Sequence, residues 1–69
     1  MNKSVYKKIE ITGTSEKSLE NAINNAILKA SETVRDMRWF EMTEVRGRID
    51  GAKTIQWQVT VKIGFALED

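Results

Sequence analysis

The 69-residue chain carries 11 Lys plus Arg against 10 Asp plus Glu, a net charge of +1, and has neither Cys nor His. Its length allows one domain, spanning 1–69, which buries only about 60% of its unfolded surface; with disulfides, thiolate sites and the commonest soft-metal ligand all absent, no metal site is expected and oligomerisation is left as the route to stability. The balanced charge offers no basic face for nucleic acid, and apolar runs of only a few residues exclude a membrane span.

Met1-Asn2-Lys3-Ser4 leads straight into a strand pattern without the apolar stretch of a signal peptide, so a cytoplasmic location is expected. Residues 5–12 alternate Val5, Lys7, Ile9 and Ile11 against Tyr6, Lys8, Glu10 and Thr12. Their β-branched content and the closing Gly13 predict a strand, with Lys7 marking its first half as an edge. Thr14-Ser15 then offers N-cap oxygens, and Glu16 adds a favourable first-turn charge. Leu19, Ala22, Ile23, Ala26, Ile27, Ala30 and Val34 recur at helical spacing, which predicts one amphipathic helix over 15–34. Its small Ala22, Ala26 and Ala30 would let it lie close against a sheet.

A second strand is predicted over 38–49. Phe40 and Met42 have one parity, whereas Val45 and Ile49 have the other. If all four face the core, one residue must be absorbed between them, which predicts a β-bulge near Thr43–Glu44. Asp50-Gly51 signals a hairpin turn. The third strand, 53–67, places Ile55, Trp57, Val59, Val61, Ile63, Phe65 and Leu67 on one face and Gln56, Gln58, Thr60, Lys62, Gly64 and Ala66 on the other. The order is β-α-β-β, with an antiparallel hairpin of strands 2 and 3. Strand 1 pairs with strand 3 or with strand 2.

Catalytic chemistry finds little support. No His or Cys can act as base or nucleophile, and no Gly-rich loop fits a phosphate-binding fingerprint. Gly13-Thr14-Ser15 before a helix is a weak anion site at most. The carboxylates are scattered singly, and Glu41 and Glu44 have no obvious catalytic partner. The expectation is therefore a protein that is not an enzyme.

Parity directs attention elsewhere. If Phe40 and Met42 point at the helix, Trp39 points away from it, as do Gln58 and, after the bulge, Arg46. One open face thus presents an indole, an amide and a guanidinium. An indole stacks on a flat ligand, an amide matches a heterocycle's donor and acceptor edge, and a guanidinium suits a phosphate. Each residue also has a plainer reading. Trp39 packs in subunit interfaces as readily, Gln58 on a strand is commonly solvated, and Arg46 is commonly in a surface ion pair, here with Glu44 or Glu41. Trp57 has core parity and reads as packing.

Several of these residues, in order, resemble the dodecin family. They are Val5-Tyr6-Lys7-Lys8, Thr12-Gly13-Thr14-Ser15, Arg38-Trp39-Phe40-Glu41, Arg46-Gly47, Trp57-Gln58-Val59 and Val61-Lys62-Ile63-Gly64-Phe65. Each motif alone is weak; the ordered set spans nearly the whole chain. The resemblance implies an α+β subunit of β-α-β-β order, with a three-stranded antiparallel sheet wrapped around one helix. It implies a homododecamer that binds flavins in pairs, stacked between tryptophans of neighbouring subunits. Trp39 matches the stacking indole, and Gln58 the amide that reads the flavin's pyrimidine edge. Arg46 matches a basic position near the ligand in bacterial-type members. Some members carry a second Arg just after the Gly-Phe pair, where this chain has Ala66. The near-neutral charge resembles the bacterial rather than the strongly acidic archaeal type.

The function this implies is flavin storage with quenching of the excited state. The expected cofactor is FMN or riboflavin, with FAD as a further candidate. An indole stacked on an excited isoalloxazine donates an electron and takes it back, which requires no catalytic residue. Two rivals stand beside it: an oligomeric scaffold with a vacant pocket, and a carrier of another flat nucleotide ligand such as coenzyme A.

Overall fold

A computed structural model describes residues 4–67. Strand β1 (Tyr6–Ser15) is followed by helix α1 (Leu19–Ala30), then by strands β2 (Met37–Asp50) and β3 (Lys53–Ala66). The sheet is antiparallel with order β1-β3-β2. This settles the partner that the sequence left open. β1 pairs with β3 along its whole length, from Tyr6↔Ala66 to Ser15↔Trp57.

The first strand is longer and the helix shorter than predicted. Gly13 does not close β1, which runs on to Ser15. The N-cap is Ser18, whose hydroxyl accepts from the Asn21 N–H at 3.0 Å. Ser15 Oγ instead accepts from the Lys17 N–H at 2.9 Å and donates to Asn21 Oδ1 at 2.7 Å, which ties the strand end to the helix start. Both Thr14-Ser15 and Ser18 offer capping oxygens, and ladder pairing through Ser15 decides between them. At the far end α1 stops at Ala30. The Val34 N–H reaches back to the Ala30 carbonyl at 2.9 Å in a turn, not in a continued helix. Asp36, at φ 60, then reverses the chain into β2, and its carbonyl accepts from the Ala66 N–H at 3.0 Å.

Close approach defines how α1 lies on the sheet. A Cβ added to Gly13 would collide with the Ala22 carbonyl oxygen and come within 2.8 Å of Ala26 Cβ. The helix backbone therefore rests on the strand at this point, with the short side chains of Ala22 and Ala26 facing it. Asn25 Nδ2 adds a hydrogen bond to the Thr14 carbonyl at 3.0 Å. The buried core is Ala22, Ala26, Ala30, Val59, Val61 and Ile63.

β2 breaks register between Met42 and Glu44, as its parity change requires. Phe40 pairs with Ile63, Met42 with Val61 and Val45 with Val59, so all three share the helix-side face. They are not in the core, however. Phe40, Met42 and Val45 are each about half exposed, and Ile49, past a further irregularity after Arg48, is 70% exposed. The reason is geometric. A helix is about 10–12 Å across and strands are about 4.8 Å apart, so one helix covers about two strands. Close contact at Gly13 pulls α1 over β1 and β3, and β2 receives no helix backbone against it.

The result is an elongated subunit, 56 × 20 × 13 Å, in which three of the six buried apolar side chains among the described residues are alanine and an apolar stripe is left bare on β2. Such a core, with Ile9, Ile11, Ile23, Ile27, Met37 and Trp57 only partly buried against it, is marginal for one copy alone. Sedimentation at micromolar concentration is expected to show a single large species. A stable folded monomer under those conditions would refute this expectation.

Candidate functional site

The face of the sheet turned away from α1 carries the three residues singled out by parity. On β3 this face presents Gln56, Gln58, Thr60, Lys62 and Gly64. Trp39 pairs with Gly64 and Arg46 pairs with Gln58, so the two strands bring all three functional candidates to one surface.

Trp39 sits at one end. Its six-membered ring occupies the space that a side chain at position 64 would need. Tyr6, from β1, meets it edge-on, with ring centroids 5.0 Å apart and planes at 67°. Backbone beneath and an aromatic beside it hold the indole in one place, while 39% of the residue stays open to solvent. A held but exposed indole is a platform for a flat ring. Its rigidity limits the entropy lost on stacking.

Gln58 sits toward the other end with its amide held on both sides. Arg46 Nε donates to Gln58 Oε1 at 2.5 Å, and Gln58 Nε2 donates to Gln56 Oε1 at 2.9 Å. Arg46 also approaches Glu44 at 3.7 Å, whereas Glu41 is taken by Lys8 at 2.8 Å. Of the two ion pairs open to Arg46 in the sequence, the one with Glu44 forms.

Trp39 and Gln58 are on one face but not in one place. Gly64, under the indole, and Gln58 are six positions apart on β3, roughly 20 Å at about 3.3 Å per residue. Between them runs a polar strip. Lys8 bridges to Glu41, Thr12 Oγ1 and Thr60 Oγ1 are 2.8 Å apart, and Thr43 Oγ1 donates to the Thr60 carbonyl at 3.3 Å. No single three-ring heterocycle reaches from the Trp39 indole to the Gln58 amide of the same chain.

The Glu41 carboxylate in this strip is engaged by a cation. The Lys8 ammonium, through its hydrogen bond first and its charge second, holds the Glu41 carboxyl below the usual carboxylate range, and Lys62 adds to the effect. Among the described residues no group of three acidic side chains is gathered where it could hold a metal ion. Also among them, no helix is long and apolar enough to cross a membrane.

Sequence reasoning missed three contributors. Tyr6 had the right parity but no visible partner until β1 was placed beside β3. Gly64 reads as a gap in the outward set, and it is the seat of the indole. Gln56 shares parity with Gln58 two residues on, which was the available signal.

A seated, exposed aromatic and a held amide on one face of a small sheet are features of a small-ligand-binding protein. The family model described as Dodecin matches residues 5–68. A dodecin from Thermus thermophilus is 48% identical over 65 residues, covering 94% of each chain. A crystal structure of a Thermus thermophilus protein superposes with a TM-score of 0.92 at 46% identity, covering 97% of this chain and 98% of that one. A calcium dodecin from Mycobacterium tuberculosis is 34% identical over 64 residues, covering 93% of this chain and 90% of its own. The chain belongs to the dodecin family.

Proposed function

We propose that this protein stores flavin in the cytoplasm, as riboflavin or FMN, and quenches its excited state by stacking it on Trp39 within a homododecamer. The observation that carries this reading is the separation of Trp39 and Gln58 on one face. Both groups are built to hold a flat heterocycle, and one chain cannot bring both to the same ring. A site is completed when a ring stacked on Trp39 of one copy meets Gln58 of another. The small core and bare β2 stripe give the chain independent reason to assemble. An indole in stacking contact can pass an electron to an excited isoalloxazine and recover it, which leaves no net reaction.

Arg46 takes a different part from the one its charge suggests. Its Nε is committed to the Gln58 amide, so it serves the reading edge as well as any ribityl phosphate. Gln58→Ala is expected to weaken riboflavin and FMN about equally, because both carry the imide edge. Arg46→Ala is expected to weaken both, with the larger loss for FMN and a reduced salt dependence. The visible absorbance spectrum of the protein as purified, followed by titration with each flavin at two salt concentrations, tests the assignment. Failure of the unmodified protein to bind either flavin would reject it.

A further inference from the structure

We propose that Gln56 is a positioning residue for ligand recognition: it anchors the far side of the Gln58 amide and so fixes which way round that amide reads its ligand. The inference rests on the assignment of Gln58 to the imide edge of a flavin.

A primary amide has two ends of nearly equal shape and opposite hydrogen-bonding sense. Left free on a strand, a glutamine turns about its last torsion, whose profile is broad, and offers either end to a ligand. Gln58 is not free. Arg46 has no acceptor, so only the carbonyl end of Gln58 can face its Nε. That fixes the amide nitrogen on the opposite side, where it needs an acceptor. Gln56 supplies one with its own Oε1, at 2.9 Å.

The two glutamines are neighbours because residues i and i+2 of a strand share a face. Both are partly shielded from solvent, where such bonds hold better than in open water. The series Arg46–Gln58–Gln56 therefore runs in one direction, from a donor that cannot invert.

The held amide keeps one lone pair on Oε1 and one N–H on Nε2. Those two groups suit a ligand edge that sets an N–H beside a carbonyl, which is the imide edge of an isoalloxazine. With the amide locked, the ligand N–H must meet Oε1 and the carbonyl must meet the N–H. Release of the Gln56 end lets the amide swing, and a swinging amide discriminates less between edges.

The test uses riboflavin and 3-methylriboflavin, whose imide N–H is replaced by a methyl group, with the assembled protein. The unmodified protein is expected to bind the methylated ring about tenfold more weakly, the scale of one lost hydrogen bond. In Gln56→Met, which keeps length but removes the acceptor, riboflavin binding should fall about three- to tenfold and the penalty for methylation should shrink. Gln56→Glu, whose carboxylate still accepts, should restore both. A merely structural role would lower affinity for the two rings alike and leave their ratio untouched. Should Gln56→Met fail to assemble, Gln56→Thr, a strand former too short to reach Nε2, carries the same expectation. Retention of affinity and discrimination by the Met or Thr variant, alongside their loss in Gln58→Ala, overturns the role of Gln56 alone. Absence of riboflavin binding by the unmodified protein overturns the parent assignment and this one with it.

Discussion

Gly13→Ala is expected to leave little folded protein, although it adds a single methyl group. The added Cβ would overlap the Ala22 carbonyl oxygen, lie 2.8 Å from Ala26 Cβ and 3.0 Å from the Ala26 nitrogen. Two of these three atoms are helix backbone, which cannot swing aside as a side chain can, so the whole of α1 must retreat from β1. Overpacking a core costs about 1–3 kcal/mol, and occasionally more. Displacement of a helix that supplies half of the buried core belongs at the upper end. A domain of this length has only about 3–10 kcal/mol of stability in total. Urea unfolding followed by circular dichroism, with sedimentation in parallel, reads the result. Gly47→Ala is the control. A Cβ there meets nothing closer than 3.4 Å, so that variant should remain close to the parent. Equal stability of the Gly13 and Gly47 variants would show that α1 can lift from the strand at little cost.

Trp39→Ala is expected to lower flavin affinity by about 10- to 100-fold, since stacking on an aromatic contributes on the order of 1–3 kcal/mol per ring. Fluorescence titration reads both the affinity and the quenching, and any residual complex should be brighter than the parent complex. A second route leaves the indole in the chain but removes its seat. Gly64→Ala puts a methyl group where the Trp39 ring now lies, and the ring must move. Binding should weaken in this variant while the assembly persists. Unchanged affinity and unchanged quenching in Trp39→Ala would end the storage mechanism. Unchanged binding in Gly64→Ala alone would mean that stacking does not require the seat.

Much of the fold was legible because it depends on alternation. The parity change from Phe40 and Met42 to Val45 requires an extra residue, and the bulge between Met42 and Glu44 supplies it. The outward direction of Trp39, Arg46 and Gln58 follows from the same count. The burial of β2's inner side did not follow, because parity names a face without saying whether anything covers it. That depends on helix diameter and on the pull of Gly13, which are three-dimensional quantities. The helix start was misplaced because Ser15 and Ser18 are both competent caps, and only the β1–β3 ladder removes Ser15 from the contest. The offset between Trp39 and Gln58 was present in the sequence all along. The two lie at unequal distances from the turn at Gly51, so a hairpin folded there cannot set them opposite each other.

The same offset has a consequence for supply. If one chain offers the platform and another the reading edge, a bound ring is a cross-link between chains, and occupancy depends on the protein's own concentration. By mass action, ligand that binds only the assembled state drives assembly, and dilution that dissolves the assembly discharges the ligand. A reservoir built in this way needs no release step. On the proposed reading, synthesis of more chain would draw the free pool down, and loss of chain would return it.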